Sequence, residues 1–330
     1  GDRYNLHTYV NLNHFKMAEN GGIEDDAYIT NPQSFPRAYG TKDIPTLLSD
    51  TWNRNENQDV FLTHRYNLGF HRDIEVPDSL KPKMPSDKEF LQQISDSIRQ
   101  ILLADTVRQA SVLDSMRTAW AASQMVPQEF VPVSSIIHTL KINNLRHTYY
   151  SYSTPENYYT NLFYGDLNNV RDRTKNLMVR NTVRLTLREG FNKWAQMGIT
   201  AFISHEVRNY RLPMLDQDGL LGRKHYTEHD IAVGGQVTRT QGKYFNYDVT
   251  GQFSIVGDNV GDFSVDGTLS SEFPVSRRDT MAVEIRGMVD GKEPDFYLRH
   301  YHSQFLWWDH FNWDKEYHGR IEGSLHLPRI

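Results

Sequence analysis

The sequence predicts an all-β fold, an antiparallel transmembrane β-barrel carrying one helical insert near 86–124. Three observations predict it. First, short segments alternate apolar and polar side chains with period two, which is the periodicity of a strand with two unlike faces. In GDFSVDGTLSSEF, Phe263, Val265, Gly267, Leu269 and Phe273 fall on one face, while Asp262, Ser264, Asp266, Thr268, Ser270 and Glu272 fall on the other. Second, mean hydropathy is −0.63, and there is no run of about 18 apolar residues of the kind a membrane helix needs. Third, aromatic residues make up 12 % of the 330 residues and gather where strands end.

Composition narrows the function classes. The formal net charge is −5. No basic block marks a nucleic-acid surface, and mild acidity argues against one. Cys is absent, which excludes disulfides, thiolate metal sites and a cysteine nucleophile. The chain opens GDRYNLHTYV, which already reads as a strand. Either a signal was removed or the chain starts inside a longer protein.

Along the chain, RYNLHTYVNLNHF, DVFLTHRYNLGFH and VSSIIHTLKINNLRHTYYSY read as strands of mixed alternation, separated by a long loop, 18–58, and by the insert, 73–131. Within the insert, Ser86 and Glu89 form a capping-box signature. Phe90, Ile94, Ile98, Ile101 and Leu102 follow at helical spacing. The helix is expected over 86–124, in one or two pieces. A second long loop covers 151–175.

Regular strands follow. In NLMVRNTVRLTLR, Val183, Leu185 and Leu187 oppose Arg180, Arg184 and Arg188. In MGITAFISHEVRNY, Ile199, Ala201, Ile203 and Val207 oppose Thr200, Ser204, Glu206 and Arg208, with Phe202 on the polar side. IAVGGQVT and YDVTGQFSIVG repeat the pattern. In MAVEIRGMVD, Glu284 and Arg286 share the polar face, as do Arg320 and Glu322 in YHGRIEGSLHL. FYLRHYHSQFLWW reads as one further strand with unassigned faces, bringing the expected total to eleven. Connection lengths are read as alternating, with 189–197 short and 210–225 long. Long loops mark the outer side of a bacterial barrel. That parity puts 18–58 and 151–175 outside and 73–131 on the periplasmic side.

The apolar face is expected to meet lipid. A charge at mid-bilayer costs about 2–4 kcal/mol for Arg or Lys, so charges should keep to one face, and on the later strands they do. Gly235, Gly251, Gly267, Gly287, Gly319 and Gly323 lie on the apolar face. Each would leave a gap in a packed core, whereas lipid chains can fill it. The lipid-facing candidates are Val183, Leu185, Leu187, Phe263, Val265, Leu269 and Phe273. The girdle candidates are Trp194, Tyr244, Phe245, Trp307, Trp308, Phe311 and Trp313, all read as lying at short turns on one side.

FVPVSSIIHTLKINNLRHTYYSY, NPQSFPRAYG and FYLRHYHSQFLWWDHFNW together resemble a family of outer-membrane porins from the Bacteroidota. The resemblance runs over about residues 30–328 and rests more on the order of these motifs than on any one of them. It implies a many-stranded barrel in the bacterial outer membrane and no catalytic residues. The chain departs from the family in ending LPRI rather than in an aromatic-terminated strand. With eleven strands where single-chain bacterial barrels have an even number, the expectation is an incomplete portion of a larger barrel.

Pore-lining candidates are Arg180, Arg184, Arg188, Glu206, Arg208, Asp262, Asp266, Glu272, Glu284, Arg286, Arg320 and Glu322. In a wide barrel they would tune the passage of ions and small solutes; in a narrow one they would form a lattice of ion pairs. No catalytic motif occurs, and no cofactor or metal is expected. His300 and His302 share a face without a third ligand, Glu228 and His229 point to opposite faces, and Asp258, Asp262 and Asp266 lack the spacing of a calcium loop. The expected partners are outer-membrane lipid and lipopolysaccharide, with 73–131 as the surface for an outer-membrane or periplasmic protein. The leading function is a pore for small solutes. The alternatives are a closed barrel acting as scaffold or receptor, and a soluble carbohydrate-binding β-sandwich.

Overall fold

A computed structural model describes residues 2–74, 82–123, 128–191, 196–242, 244–274 and 280–327. The elements in chain order are β1 (Tyr4–Ala18), α1 (Ala27–Thr30), β2 (Ser49–Asp73), α2 (Asp87–Gln92), α3 (Asp96–Ala104), α4 (Thr106–Ser123), β3 (Gln128–Ser153), β4 (Val170–Leu187), β5 (Gly198–Leu215), β6 (Leu221–Arg239), β7 (Phe245–Gly257), β8 (Phe263–Pro274), β9 (Thr280–Lys292), α5 (Phe296–Arg299), β10 (His300–His302), β11 (Trp307–Asp309) and β12 (Glu316–His326). They divide into two compact units, one of residues 1–68 and 133–330 and one of 69–132.

The first unit is built on one ten-stranded antiparallel sheet, ordered β1-β2-β3-β4-β5-β6-β7-β8-β9-β12. Its free edges, β1 and β12, are not paired with each other. Register follows alternation strand by strand. Leu185, Ala201, Gly235, Gly251, Val265, Val289 and Gly319 form one continuous row across seven strands. A one-residue slip would turn every charge to that face.

On the polar face the strands are tied by short side chains. The hydroxyls of Thr182 and Ser204 are 3.0 Å apart, as are those of Thr186 and Thr200. Phe202, the odd apolar residue on this face, lies over Gly234 directly opposite it on β6. A Cβ at Gly234 would run into the Phe202 ring. The Arg184 guanidinium sits 5.3 Å from the centre of that ring. The exception to alternation is therefore an aromatic side chain covering a glycine and carrying a cation on it.

Val183, Leu185, Leu187, Val265, Leu269 and Phe273 are exposed on the apolar face. Phe263 is half-buried, lying across Gly291 with its ring 6.3 Å from Tyr317. A sandwich needs a second sheet packed on this face. Among the described residues the only other sheet is the small β10–β11 hairpin, so the sandwich alternative has no partner layer.

Several expected boundaries shift. The first long connection is 19–48, not 18–58, because β2 already begins at Ser49. It holds a short helical stretch in which the Tyr28 and Phe35 rings stack at 4.0 Å. The second is 154–169, not 151–175. The 210–225 region is not a long loop. β5 and β6 pair down to Leu215 and Leu221, leaving only 216–220 between them, turned by Gly219 at φ +75°. FYLRHYHSQFLWW is not a strand of the main sheet; it makes α5 and the two strands of the β10–β11 hairpin. Ten strands, not eleven, make the large sheet among the described residues.

In the second unit the helical stretch is three helices rather than one or two. Ser86 caps α2 through its hydroxyl, and the Glu89 carboxylate accepts from the Ser86 backbone N–H at 2.7 Å, completing the capping box. That hydrogen bonding holds the Glu89 carboxyl below the usual carboxylate range. Arg117 on α4 pairs with Asp87 on α2 at 2.5 Å, and Phe90, Leu102 and Leu113 are buried. β2 and β3 continue into this unit, where Arg72 pairs with Glu129.

Candidate functional site

The β9–β12 connection, residues 293–315, folds onto the polar face of β4–β6. Apolar packing anchors it first. The Phe296 ring stacks on Tyr210 with centroids 3.7 Å apart, meets Tyr226 edge-on, and shares a buried cluster with Leu212. Phe305 stacks on Tyr159 at 3.8 Å. Polar contacts fix the rest. Arg299 donates to Glu228 at 2.6 Å and to the Pro294 carbonyl at 2.9 Å. The Gln304 backbone N–H donates to Asp172 at 2.8 Å. Lys315 reaches Asp262 at 2.5 Å and Glu293 at 3.5 Å.

The hairpin is closed by one carboxylate. Asp309 takes His300 Nδ1 at 2.7 Å and His302 Nε2 at 3.0 Å, while His302 Nδ1–H donates to the Pro213 carbonyl at 2.8 Å. Burial alone would raise the Asp309 pKa, but these two hydrogen bonds outweigh it and hold the group below the usual carboxylate range. Burial likewise works against the charge on Lys315, and Asp262 and Glu293 together hold its pKa above the ordinary lysine value.

Between this connection and β4–β8 lies a cavity of about 170 Å³. Arg180, Arg208, Lys292 and Arg299 face Glu206, Asp230, Asp262 and Glu293 across it. Glu206 accepts from both Arg180 and Arg208. Asp230 accepts from the backbone and side-chain nitrogens of Asn259 at 2.8 and 2.6 Å. One oxygen of Glu228, Oε2, is buried without a hydrogen-bond partner. A narrow passage lined by fixed charges of both signs can orient and sort small charged solutes by size and charge.

The expected lining residues divide into three groups on the polar face. Arg180, Glu206, Arg208 and Asp262 meet at the cavity just described. Arg184 and Arg188 line a second cavity of about 340 Å³ with Glu189, Thr200 and Gln236. Asp266, Arg286, Arg320 and Glu322 line a third of about 270 Å³ with Asp248. Glu284 pairs with Arg286 at 2.5 Å. Glu272 sits opposite Ala282, outside all three. Asp262 is not a strand residue. It ends the 258–262 turn, after Gly261 at φ +84°, and its carboxylate is committed to Lys315 and to the Glu293 N–H.

The aromatic expectation needs correction at the third cluster. Trp307 stacks on His302 at 4.0 Å and Trp308 on Tyr301 at 5.0 Å, inside the folded connection. Antiparallel order places 293–315 at the same sheet end as 19–48 and 154–169 (the loop end), opposite the β6–β7 turn that carries Tyr244 and Phe245. Phe311 and Trp313 are exposed in the same connection. Trp194 lies outside the described residues. Sequence reading missed a different aromatic group, Trp52 stacked on Tyr150 at 5.3 Å on the apolar face near the loop end.

Sequence reading also missed Glu228, Asp230, Lys292, Glu293, Arg299 and Lys315. Glu228 was visible only as the neighbour of His229, on the opposite face. That part holds, since Glu228 is buried and His229 exposed. The missing signal is long-range, because Arg299 lies on a segment without alternation. Among the described residues no cluster of three or more His, Cys, Asp or Glu is placed to hold a metal ion. Asp258 accepts from the His229 N–H at 2.7 Å, apart from Asp266.

A search of curated proteins and of solved structures returns no match. A family model described as "Putative porin" matches residues 1–330. With a single large antiparallel sheet and the whole chain matched, the chain belongs to that porin family.

Proposed function

We propose that the chain is an outer-membrane pore for small charged solutes, with its polar face lining the passage and its apolar face against lipid. The observation that carries this reading is the folded β9–β12 connection. It brings Arg299 and Glu293 over Arg180, Glu206 and Arg208, beside Lys292 at the end of β9, and narrows the space above the sheet. The pore-lining residues are then the three groups on the polar face, and the lipid-facing ones are Val183, Leu185, Leu187, Phe263, Val265, Leu269 and Phe273. In hydrocarbon an open sheet edge is costly, because each unpaired backbone group costs several kcal/mol. The free edges of β1 and β12 therefore need strand partners in the membrane, each other or further strands. Planar bilayers test the function. Folded protein is expected to give stepwise ion conductance, and a silent bilayer with folded protein contradicts it.

A second reading, a scaffold or receptor without an open pore, draws on the helical unit. Ile98, Ile101, Leu103 and Val107 are exposed on α3 and α4, an apolar group suited to a protein partner. Pulldown from solubilised outer membrane discriminates. A stoichiometric partner lost on Ile101→Asp and Val107→Asp favours this reading, and a protein recovered alone opposes it.

A further inference from the structure

The apolar face is not apolar along its whole length. On β4 it runs Leu187, Leu185, Val183, then Asn181 as the one polar exception, then Val179 and Leu177, before it changes to Lys175, Arg173 and Arg171. Register carries the change sideways. Lys175 stands opposite Arg146 on β3 and Arg211 on β5, Arg173 opposite Thr148, and Arg171 opposite Tyr150. On β6, Arg223 and His225 continue the belt, opposite Pro213 and Arg211. These residues all share the face of Leu185 and Val183, away from Glu206 and Glu228. Among the described residues the carboxylate paired with the belt is Glu56, which meets Arg54 and Arg146, the latter at 3.0 Å.

Such crowding of like charge is unfavourable without an anion. Lys175 feels Arg146, Arg173, Arg211 and Arg223, and Arg173 feels Arg146, Arg171 and Arg223. The belt also contains a concavity. A cavity of about 280 Å³ is lined by Arg54, Arg146, Arg171 and Arg173 with Tyr150 and Tyr152, and by the single carboxylate of Glu56. Two guanidinium donors there, Arg146 Nε and Arg173 Nε, are buried without a hydrogen-bond partner. Buried donors are normally satisfied, and a planar guanidinium fork matches the oxygens of a phosphate. Unpaired donors, excess positive charge and room for a group of this size are three independent features of one place.

We propose that the Arg146–Arg171–Arg173 cavity binds the phosphate of an outer-leaflet lipid, whose acyl chains run down the apolar face beside it. This rests on the apolar face meeting lipid. Height supports the choice of a lipid over a free anion. Leu187 and Leu177 are about ten residues apart, or ~33 Å along a strand at ~3.3 Å per residue. A tilt of ~40° reduces this to about 25 Å, the height of the apolar band of such barrels. The arginines begin directly beyond it, at the level of headgroups. Trp52 and Tyr150 stack there with the Lys16 ammonium 4.7 Å from the Trp52 ring, as suits an interface. The belt lies at the sheet end that carries connections 19–48, 154–169 and 293–315. Longer loops face outward in such barrels, which assigns the site to the outer leaflet.

Native mass spectrometry of the full chain in detergent micelles tests the site. The probes are bisphosphoryl lipid A, dephosphorylated lipid A and inorganic phosphate, and the variant is Arg171→Gln/Arg173→Gln, which leaves the Arg146–Glu56 pair intact. The parent is expected to retain bisphosphoryl lipid A at least tenfold better than the dephosphorylated form. The variant should lose that preference, and millimolar inorganic phosphate should not displace the lipid. Equal retention by parent and variant overturns the proposal. Equal retention of both lipids by the parent overturns it as well. Displacement by inorganic phosphate alone reassigns the cavity to a free anion and overturns the lipid. Far-UV circular dichroism of both proteins in the same micelles confirms that they are folded. Protein that stays folded and monodisperse without detergent contradicts the lipid-facing reading itself, a result separate from all of these.

Discussion

The two halves of the large sheet share one alternation pattern and put it to different use. On β4–β6 the carboxylates of the polar face are covered, with the side chains of Glu206 and Glu228 each 7 % exposed. On β9 and β12 Glu284 and Glu322 are open, at 30 % and 47 %, and only Asp290, at the loop end, is covered. The strands themselves do not cause this. The difference is the 293–315 connection, whose Phe296 and Arg299 pack only on the first half. A charge pattern read along a strand therefore sets the face of a residue and leaves its burial to whatever folds over it. Energetically, the same kind of ion pair matters greatly in one half and little in the other.

Removing one partner from each half gives the largest contrast. Arg299→Leu leaves Glu228 buried and uncompensated and is expected to destabilise by about 3–5 kcal/mol. Arg286→Leu removes an exposed partner of Glu284 and should cost about 0–1 kcal/mol. Urea titrations of both variants in the same detergent would measure the gap, and equal costs would show that the connection does not seal the first half.

The next effect belongs to the apolar face. Val265→Arg puts a charge on this face and is expected to impair insertion by up to about 2–4 kcal/mol, the cost of Arg at mid-membrane. Folding into vesicles of graded urea content measures it. A cost near zero would place this strand elsewhere than against lipid.

A smaller effect follows from acid. The Asp309 carboxyl is held below its unfolded value by His300 and His302. Its contribution to stability is present above the ordinary carboxylate pKa of about 3.9 and is lost as pH falls through the lower folded value. Melting curves from pH 6 to pH 2 should show the parent losing stability in that acid window. Asp309→Asn, already without the contribution, should show a shallower fall. The smallest structural change is Asp266→Asn, on the open half. Stability should shift by less than about 0.5 kcal/mol, while the cation-to-anion permeability ratio measured as a reversal potential should fall.

What sequence made legible tracks the range of the interactions. Period two identified the faces of Val183, Val265, Arg180 and Asp266, because alternation is local and a charge in hydrocarbon is costly whatever the neighbours. It failed where the neighbours decide. LPMLDQDGLLGRKH reads as a loop through its Pro, Gly and Asp, yet β5 and β6 pair along most of it. FYLRHYHSQFLWW has no period because its side chains divide between the sheet and their own hairpin. His302 turns to Pro213, Trp307 to His302, and Phe296 to Tyr210. Asp262, assigned to a strand by parity, proved to be a turn residue holding Lys315. The lining set was therefore readable as a face but not as a site. Glu228 and Arg299 lie far apart in the chain, and nothing local announces their pairing.

The central claim is that the two faces of the sheet meet different media, and nitroxide labels at positions 265 and 266 of protein folded in vesicles test it most directly. The two residues are neighbours on β8 and point to opposite faces. Oxygen concentrates in hydrocarbon, and a neutral nickel chelate concentrates in water. Faster oxygen relaxation is expected at 265 and faster nickel relaxation at 266. The reverse order, or equal relaxation of both labels by both reagents, contradicts it.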